Sequence, residues 1–245
     1  MMRYSGIMLS EISFRNMPVL LKNAGLDVFI LDCEHGGFDY SDISGIIMNS
    51  RLSGIECIIR LPDNTRRDIT RFADMGADGF LLPMTNTAED IRRVVRFALY
   101  DPVGERGIST MRAHSFYNPQ PLSEYMASQN MRVKIFAQIE TRSGVNNLFS
   151  ILQEDGVSGY MIGPNDLSCD YGFLDKSNHN EMLALIEHIF CEGEKSTALS
   201  GIITADPEYI SLAKRKGCNY FSKGSELSIL KKGIKEVCDG LRSDN

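Results

Sequence analysis

Short, almost uninterrupted apolar segments recur along the whole chain, and they constrain its fold more than any other feature. Each has the character of a buried strand, because parallel strands that are covered on both faces are apolar throughout rather than alternately apolar and polar. Eight such segments are found, at residues 4–9, 28–32, 57–61, 79–83, 134–140, 159–163, 199–204 and 220–223. The pattern predicts an α/β protein built on a parallel sheet.

Amphipathic helical stretches separate these segments. One apolar stripe comprises Val145, Leu148, Phe149 and Leu152. Thr87 followed by Asp90 resembles a capping box, and Asp206 before Pro207 resembles an N-cap before a proline in the first turn. Glycines predict the ends of other helices, at Gly76, Gly156 and Gly217. The chain is therefore predicted to consist of eight strand-helix units.

The number of units and the chain length together predict a closed (β/α)8 TIM barrel. The chain has 245 residues, and such barrels typically have ~250. An open doubly wound sheet is the alternative, but no G-x-G-x-x-G sequence follows the first strand, as that fold would favour. We expect residues 1–245 to form one domain. A long connection at residues 101–130 is expected to cover an active site or to form an oligomer contact.

Composition excludes several classes of function. The net charge of -6 and the absence of a basic run argue against a nucleic-acid partner. No apolar run approaches the ~20 residues that cross a membrane. The six cysteines form no C-x-x-C pair and no secretion signal precedes them, so a reducing, cytoplasmic location is expected.

Two acidic residues, Glu140 and Asp166, each follow a predicted strand and precede a predicted helix. In one parallel sheet both carboxylates would emerge at the same edge, where their oxygens could hold a hard divalent cation. The alternative for either residue is an N-cap or a solvated loop position.

Other strand ends carry a histidine and an arginine. His35 follows the second strand between Glu34 and two glycines, and its alternative role is that of a loop histidine bonded to the backbone. Arg60 ends a strand that is otherwise buried, so it needs an anionic partner, either a substrate oxygen or an acid on a neighbouring strand. Asp74 near the end of the third helix either faces solvent or orients a histidine.

Five ordered segments resemble the HpcH/HpaI family of class II, metal-dependent pyruvate aldolases. They are AGLDVFILDCEHG (24–36), ADGFLLPM (77–84), YDPVGERG (100–107), QIET (138–141) and IGPNDLS (162–168). The resemblance implies a barrel of the phosphoenolpyruvate/pyruvate-binding type that assembles as a homohexamer with exchanged C-terminal helices. A stripe compatible with this exchange comprises Leu227, Leu230, Ile234, Val237 and Leu241.

The resemblance also implies the roles of individual residues. Glu140 and Asp166 would bind Mg²⁺, Mn²⁺ or Co²⁺, and Arg60 would bind the pyruvate oxygens. His35 would be the acid/base, held in orientation by Asp74. The substrate carboxylate would bind to the backbone amides around Gly163, Pro164, Asn165 and Asp166. Three further residues would shape the mouth without an assigned role in the reaction, namely Gln138, Arg106 and Arg112.

The reaction implied is the cleavage of a 4-hydroxy-2-oxo acid to pyruvate and an aldehyde, or the reverse condensation. The 2-oxo acid, pyruvate or oxaloacetate, would bind the cation, whose charge together with that of Arg60 would stabilise the enolate. His35 would remove the proton of the 4-hydroxyl group.

The chain departs from the family pattern at the aldehyde end, and three other functions remain open. It contains no tryptophan, has RLPDNT at residues 60–65, and carries Asn165 and Lys223 where smaller or more apolar residues are common. The enolate could instead attack an acyl thioester, as in a citrate synthase. Lys223 could form the Schiff base of a class I aldolase. The third alternative is a pyruvate-binding barrel without turnover.

Overall fold

The computed structural model describes residues 3–118, 120–173 and 178–242, and its centre is a closed barrel of eight parallel strands. Strands β1 to β8 comprise Tyr4–Leu9, Val28–Asp32, Glu56–Arg60, Gly79–Leu82, Lys134–Ile139, Gly159–Ile162, Leu199–Ile203 and Tyr220–Ser225. Neighbouring strands follow chain order, and β8 closes on β1. The predicted (β/α)8 barrel is confirmed, and every strand end lies within two residues of its predicted position.

Helices connect the strands and cover the barrel. They are α1 (Met17–Asn23), α2 (Tyr40–Ser53), α3 (Arg66–Met75), α4 (Ala88–Ala98), α5 (Leu122–Arg132), α6 (Arg142–Asn146), α7 (Leu148–Leu152), α8 (Pro164–Asp170), α9 (His179–Gly193), α10 (Pro207–Arg215) and α11 (Glu226–Arg242). The predicted capping box of Thr87 and Asp90 and the N-cap at Asp206 are confirmed. Gly76 ends α3 at φ 101°, a conformation that favours glycine.

Side chains fill the inside of the barrel, so it is a packed core and not a pore. The buried inner residues are Val28, Ile30, Ile58, Leu81, Phe136, Met161 and Tyr220. At the amino-terminal end of the strands, Lys134 Nζ donates to Glu56 Oε2 at 2.7 Å and to the Tyr220 hydroxyl at 2.6 Å. The opposite end, formed by the carboxyl ends of the strands and called the mouth below, is lined by polar side chains.

The long connection at residues 101–130 packs away from the mouth. The Arg51 guanidinium, in the last turn of α2, donates to the carbonyl of Ala113 at 2.8 Å. Arg106 donates to Asp74, near the end of α3, at 2.7 Å. Because both helices end on the side opposite the mouth, these two contacts do not place the segment over the mouth of its own chain, and an oligomer contact remains the predicted alternative.

The C-terminal helix α11 projects from the barrel. Its one buried residue in the described range is Glu226. The apolar side chains that it exposes are Leu227, Ile229, Leu230, Ile234, Val237 and Leu241. No helix in the described residues has the length and apolar character that crossing a membrane requires.

Candidate active site

A buried ion pair joins the ends of β2 and β3 at the mouth. Asp32 and Arg60 are directly opposite in the register of these strands. Arg60 Nε donates to Asp32 Oδ1 at 2.9 Å, and Nη2 donates to Oδ2 at 2.7 Å. Burial by itself would raise the pKa of Asp32, but the guanidinium outweighs it and holds that pKa below its ordinary value. The acid on a neighbouring strand that the sequence left open as the partner of Arg60 is therefore Asp32.

The same aspartate shapes the loop that carries His35. Asp32 Oδ1 also accepts the backbone N–H groups of Glu34 and His35, at 3.1 and 3.2 Å. Glu34 Oε2 lies 3.3 Å from Arg60 Nη1 and 3.7 Å from His35 Nε2. The His35 side chain is 73% exposed, so its ring is accessible to a ligand at the mouth.

Glu140, which directly follows β5, is a buried carboxylate. Its Oε1 accepts the backbone N–H of Met84 at 2.5 Å, and its Oε2 accepts an N–H of Gln138 at 2.7 Å. Met84 holds this position with φ 49°, a strained conformation for a residue with a side chain. The other amide atom of Gln138, Oε1, is buried and has no hydrogen-bond partner among the described residues.

Burial raises the pKa of Glu140 to about 7, and the negative charges of Asp166 and Glu34 act in the same direction. The Met84 N–H and the Arg60 guanidinium oppose this rise. The carboxylates at the mouth thus carry more negative charge than Arg60 neutralises. A bound cation would be attracted to this region.

Gly163 allows α8 to begin against Glu140. A Cβ atom at this position would lie 2.7 Å from Glu140 Oε2 and 2.9 Å from Gln138 Nε2. Pro164 occupies the first turn of α8 and lacks an N–H, whereas Asn165 and Asp166 are exposed in the same turn. Gln138, Glu140, Gly163 and Asp166 are thus assembled at one part of the mouth.

Within one chain Asp74 pairs with Arg106 and not with His35, so the predicted pairing with His35 stays a prediction that a single subunit does not fulfil. Asp74 is the ninth residue of α3, which places it ~12 Å along the helix from the mouth. Its Oδ1 accepts from Arg106 Nη2 at 2.7 Å and lies 3.8 Å from His114 Nε2. Arg106 is itself buried beneath Tyr100, so this cluster belongs to the far end of α3.

Lys223 lies on the exposed side of β8. Tyr220 belongs to the inner core and Phe221 packs against the outer core, so the alternation of a strand directs Lys223 outward. Its side chain is exposed. This orientation does not favour a Schiff base inside the barrel.

Sequence reasoning gave no role to Asp32, Glu34 or the Met84 amide. The role of Asp32 could have been predicted from the sequence, because it is an acid at the end of an otherwise apolar strand, beside the strand that ends in Arg60. The role of the Met84 amide could not, since every residue except proline has a backbone N–H and the residue type does not show what it binds.

Comparisons with known proteins are consistent with this geometry. The profile of the HpcH/HpaI aldolase/citrate lyase family matches residues 15–229. The 5-keto-4-deoxy-D-glucarate aldolase of Klebsiella pneumoniae subsp. pneumoniae is 30% identical over 219 residues, covering 89% of this chain and 85% of the relative.

Solved structures share the fold over nearly the whole chain. The HpcH/HpaI aldolase from Desulfitobacterium hafniense DCB-2 has a TM-score of 0.93 at 27% identity, covering 98% of this chain and 93% of that chain. The citrate synthase SbnG has a TM-score of 0.87 at 22% identity, covering 99% of this chain and 94% of that chain. At that identity the likeness concerns the fold alone.

Proposed function

Because the chain belongs to the HpcH/HpaI aldolase/citrate lyase family and its relatives are aldolases, we propose that it cleaves a 4-hydroxy-2-oxo acid to pyruvate and an aldehyde. The same site would catalyse the reverse condensation. The observation that carries the proposal is the buried Glu140 carboxylate, which shares the mouth with Asp166 and with an arginine held by Asp32.

The residues at the mouth fit a divalent cation. Glu140 and Asp166 supply carboxylate oxygens, the ligands that Mg²⁺ and Mn²⁺ prefer, and Co²⁺ also accepts them. In the described residues no group of three or more His, Cys, Asp or Glu side chains could hold a metal, so substrate or water oxygens would complete the coordination. When bound, the cation would supply positive charge that stabilises the enolate.

Arg60 binds the anionic 2-oxo acid in this proposal. Its contacts with Asp32 and Glu34 engage three N–H groups, and a guanidinium has five. The remaining donors can meet the oxygen on which negative charge develops as the C3–C4 bond breaks. Asp32 keeps the guanidinium fixed, so little reorientation is required during the reaction.

His35 transfers the proton of the 4-hydroxyl group. Its exposed ring can approach the aldehyde half of a substrate bound beside Arg60, and Glu34 Oε2, 3.7 Å from Nε2, can stabilise the imidazolium that forms. In the direction of condensation, His35 returns the proton to the new hydroxyl group.

Replacing Gly163 with alanine is expected to weaken cation binding and lower turnover. The new methyl group would displace the Glu140 and Gln138 side chains, because their atoms lie within 3 Å of the Cβ position. Titration calorimetry with Mn²⁺ measures the affinity directly. Gly233→Ala is the control, since nothing lies within 4 Å of its Cβ position. Unchanged affinity in Gly163→Ala would contradict the proposed ligand role of Glu140.

We also infer a homo-oligomer, a hexamer by resemblance, in which α11 packs on another subunit. Changing Leu230 and Ile234 together to glutamate is expected to give smaller species, because both lie on the exposed apolar face of α11. Light scattering after gel filtration gives the mass. Lys232→Ala on the polar face should leave the mass unchanged, and an unaltered mass in the double variant would exclude this interface.

In such an assembly, Asp74 of one subunit could approach His35 of another. Within one chain it pairs with Arg106 at the far end of α3, so a pairing with His35 would have to cross a subunit boundary. Exposed apolar side chains in the neighbouring connection support an interface there, namely Ile108, Met111, Phe116 and Tyr117.

We propose a cytoplasmic location because the cysteines are free thiols, as is usual in a reducing compartment. All six are free in the structure. Burial raises the pKa of Cys33 to about 12 and that of Cys218 to about 12, so neither thiol is reactive near neutral pH.

Release of pyruvate from a panel of 4-hydroxy-2-oxo acids, coupled to lactate dehydrogenase, tests the function. The substrate in the relative's name, 5-keto-4-deoxy-D-glucarate, is the first compound to include. Activity that EDTA removes and Mg²⁺, Mn²⁺ or Co²⁺ restores would support the proposal. EDTA-resistant release with borohydride trapping at Lys223 would indicate a class I aldolase instead.

Condensation with an acyl thioester is the second candidate, and the description of the matching family, which includes citrate lyases beside aldolases, favours it. Acyl-CoA consumption with oxaloacetate or pyruvate, without pyruvate release from any hydroxy-oxo acid, would replace the first proposal by this one. Cation-dependent binding of pyruvate without either reaction would identify a barrel that has lost turnover.

A further inference from the structure

Glu226 makes a contact that the proposed chemistry does not use. It begins α11 directly after β8, and it is 5% exposed although the rest of the described helix is open to solvent. Its Oε1 accepts three consecutive backbone N–H groups, from Ser10 and Glu11 at 2.7 Å and from Ile12 at 3.2 Å. A glutamate in a first helical turn ordinarily faces its own helix terminus or solvent, whereas this one holds the loop after β1.

The backbone before Glu226 is shaped to permit this contact. Gly6 pairs with Ser222 and Met8 pairs with Ser225, so β8 contains one residue more than β1 over this stretch. The extra residue forms a bulge in which Gly224 has φ 73°. Bulges change the direction in which the following residues point, and Glu226 follows this bulge directly.

The loop after β1 in turn contacts the loop that carries His35. The Ser10 carbonyl accepts the N–H of Gly37 at 3.0 Å. A Cβ atom at Gly36 would lie 2.8 Å from the same carbonyl oxygen, so the two backbones are in direct contact. A displacement of Ser10 would therefore move the residues that follow His35.

We propose that Glu226 is a positioning residue, which holds the loop after β1 and through it keeps His35 in its working position. The inference rests on the proposed function of His35 as the group that takes the 4-hydroxyl proton. Since α11 contacts the barrel mainly through β1 and β8, Glu226 also links the placement of this helix to the mouth.

Glu226→Asp tests the proposal, because it keeps the charge and shortens the reach by one methylene group. Amide hydrogen exchange should become faster at residues 10–12 and at residues 34–37. The kcat of aldol cleavage should fall ~10- to 100-fold, as expected for a displaced catalytic group, with little change in KM. Glu236→Asp on the exposed part of α11 is the matched control and should behave as the wild type.

Decarboxylation of oxaloacetate separates positioning from a general loss of structure. This reaction breaks the bond to the carboxyl group and releases CO₂, so the enolate forms without removal of a hydroxyl proton. Glu226→Asp should therefore retain it. Equal losses in both reactions would assign Glu226 a structural role and overturn the proposal, as would unchanged aldol cleavage.

Glu226→Gln provides a second variant if the aspartate variant does not fold. Glutamine retains the reach and one acceptor oxygen, so it should recover part of the aldol rate and of the amide protection that aspartate loses. A glutamine variant that loses both reactions equally would also overturn the proposal. If the wild type releases no pyruvate from any substrate, the proposed function fails, whereas the exchange measurement still tests the contact itself.

Discussion

Replacing Glu140 with glutamine is expected to abolish cation-dependent release of pyruvate, with a loss of ~10³-fold in kcat/KM, as for other buried electrostatic groups in active sites. Glutamine has the same size and can still accept the Met84 N–H through its amide oxygen. Its NH₂ group replaces the oxygen that accepts from Gln138, and the Gln138 amide can turn to accept this N–H through Oε1. Steady-state rates with and without Mg²⁺ or Mn²⁺ measure the loss. Glu89→Gln, an exposed carboxylate on α4, is the control that should retain full activity.

Asp166→Asn is expected to act in the same direction, because the two carboxylates would share one cation. Because Asp166 is exposed, the substitution is not expected to affect folding. Full activity of either variant after exhaustive chelation would exclude both residues as cation ligands.

When no cation is present, the Glu140→Gln substitution is expected to stabilise the protein, although it abolishes the activity. Burial raises the pKa of Glu140 from the ordinary 4.5 to about 7 in the folded protein, so the folded state favours its neutral form. This contribution is fully present below pH 4.5 and is lost as the pH rises through 7. A shift of this size corresponds to ~3 kcal/mol at ~1.4 kcal/mol per pH unit.

In EDTA at pH 8, Glu140→Gln is therefore expected to be more stable than the wild type by up to ~3 kcal/mol. The difference should shrink towards pH 5, and added Mg²⁺ should stabilise the wild type only. Urea unfolding at pH 8 and at pH 5 measures the difference in the free energy of unfolding between the variant and the wild type. A wild type as stable as the variant at pH 8 without cation would show that Glu140 ionises there at no cost.

Replacing Arg60 is expected to lower both the stability of the protein and its turnover by a large amount. Arg60→Met leaves Asp32 buried without its counter-charge, and breaking a buried pair in this way costs about 3–5 kcal/mol. Turnover should be lost because no cationic side chain then faces the 2-oxo acid. Arg60→Lys keeps the charge but not the two-point contact with Asp32, and should be impaired as well.

A double variant separates the two roles of Arg60. Asp32→Asn combined with Arg60→Met removes both charges, and asparagine can still accept the N–H groups of Glu34 and His35 through Oδ1. We expect it to regain much of the lost stability but no activity. Urea unfolding and the coupled assay together decide this. Recovered turnover in the double variant would mean that Arg60 serves the fold alone.

The place of four proposed site residues in the fold could be predicted from the sequence. Glu140 and Asp166 were expected at the mouth because parallel strands deliver their carboxyl ends to one edge, whatever the details of packing. His35 and Arg60 were placed at the mouth in the same way. These predictions needed only strand positions and direction, both of which follow from short apolar runs and the helices between them.

Contacts between residues that are far apart in the chain were harder to predict from the sequence. The sequence left the partner of Arg60 open, because an acid two elements away can be reached or missed by a shift of one residue in the register. Within one chain Asp74 pairs with Arg106 rather than with His35, because its position along α3, and not its residue type, decides which end of the barrel it approaches.

The sequence by itself determined the barrel, its strands, its helix caps and the chemistry available at the mouth, since hydrophobic periodicity and capping residues act locally. Only the tertiary structure decided that Asp32 neutralises Arg60, that the Met84 amide holds Glu140, and that Glu226 binds a loop 216 positions away at Ser10. Those contacts arise from strand register, a strained backbone and a bulge, which bring together groups that are far apart in the chain and whose proximity no local pattern encodes.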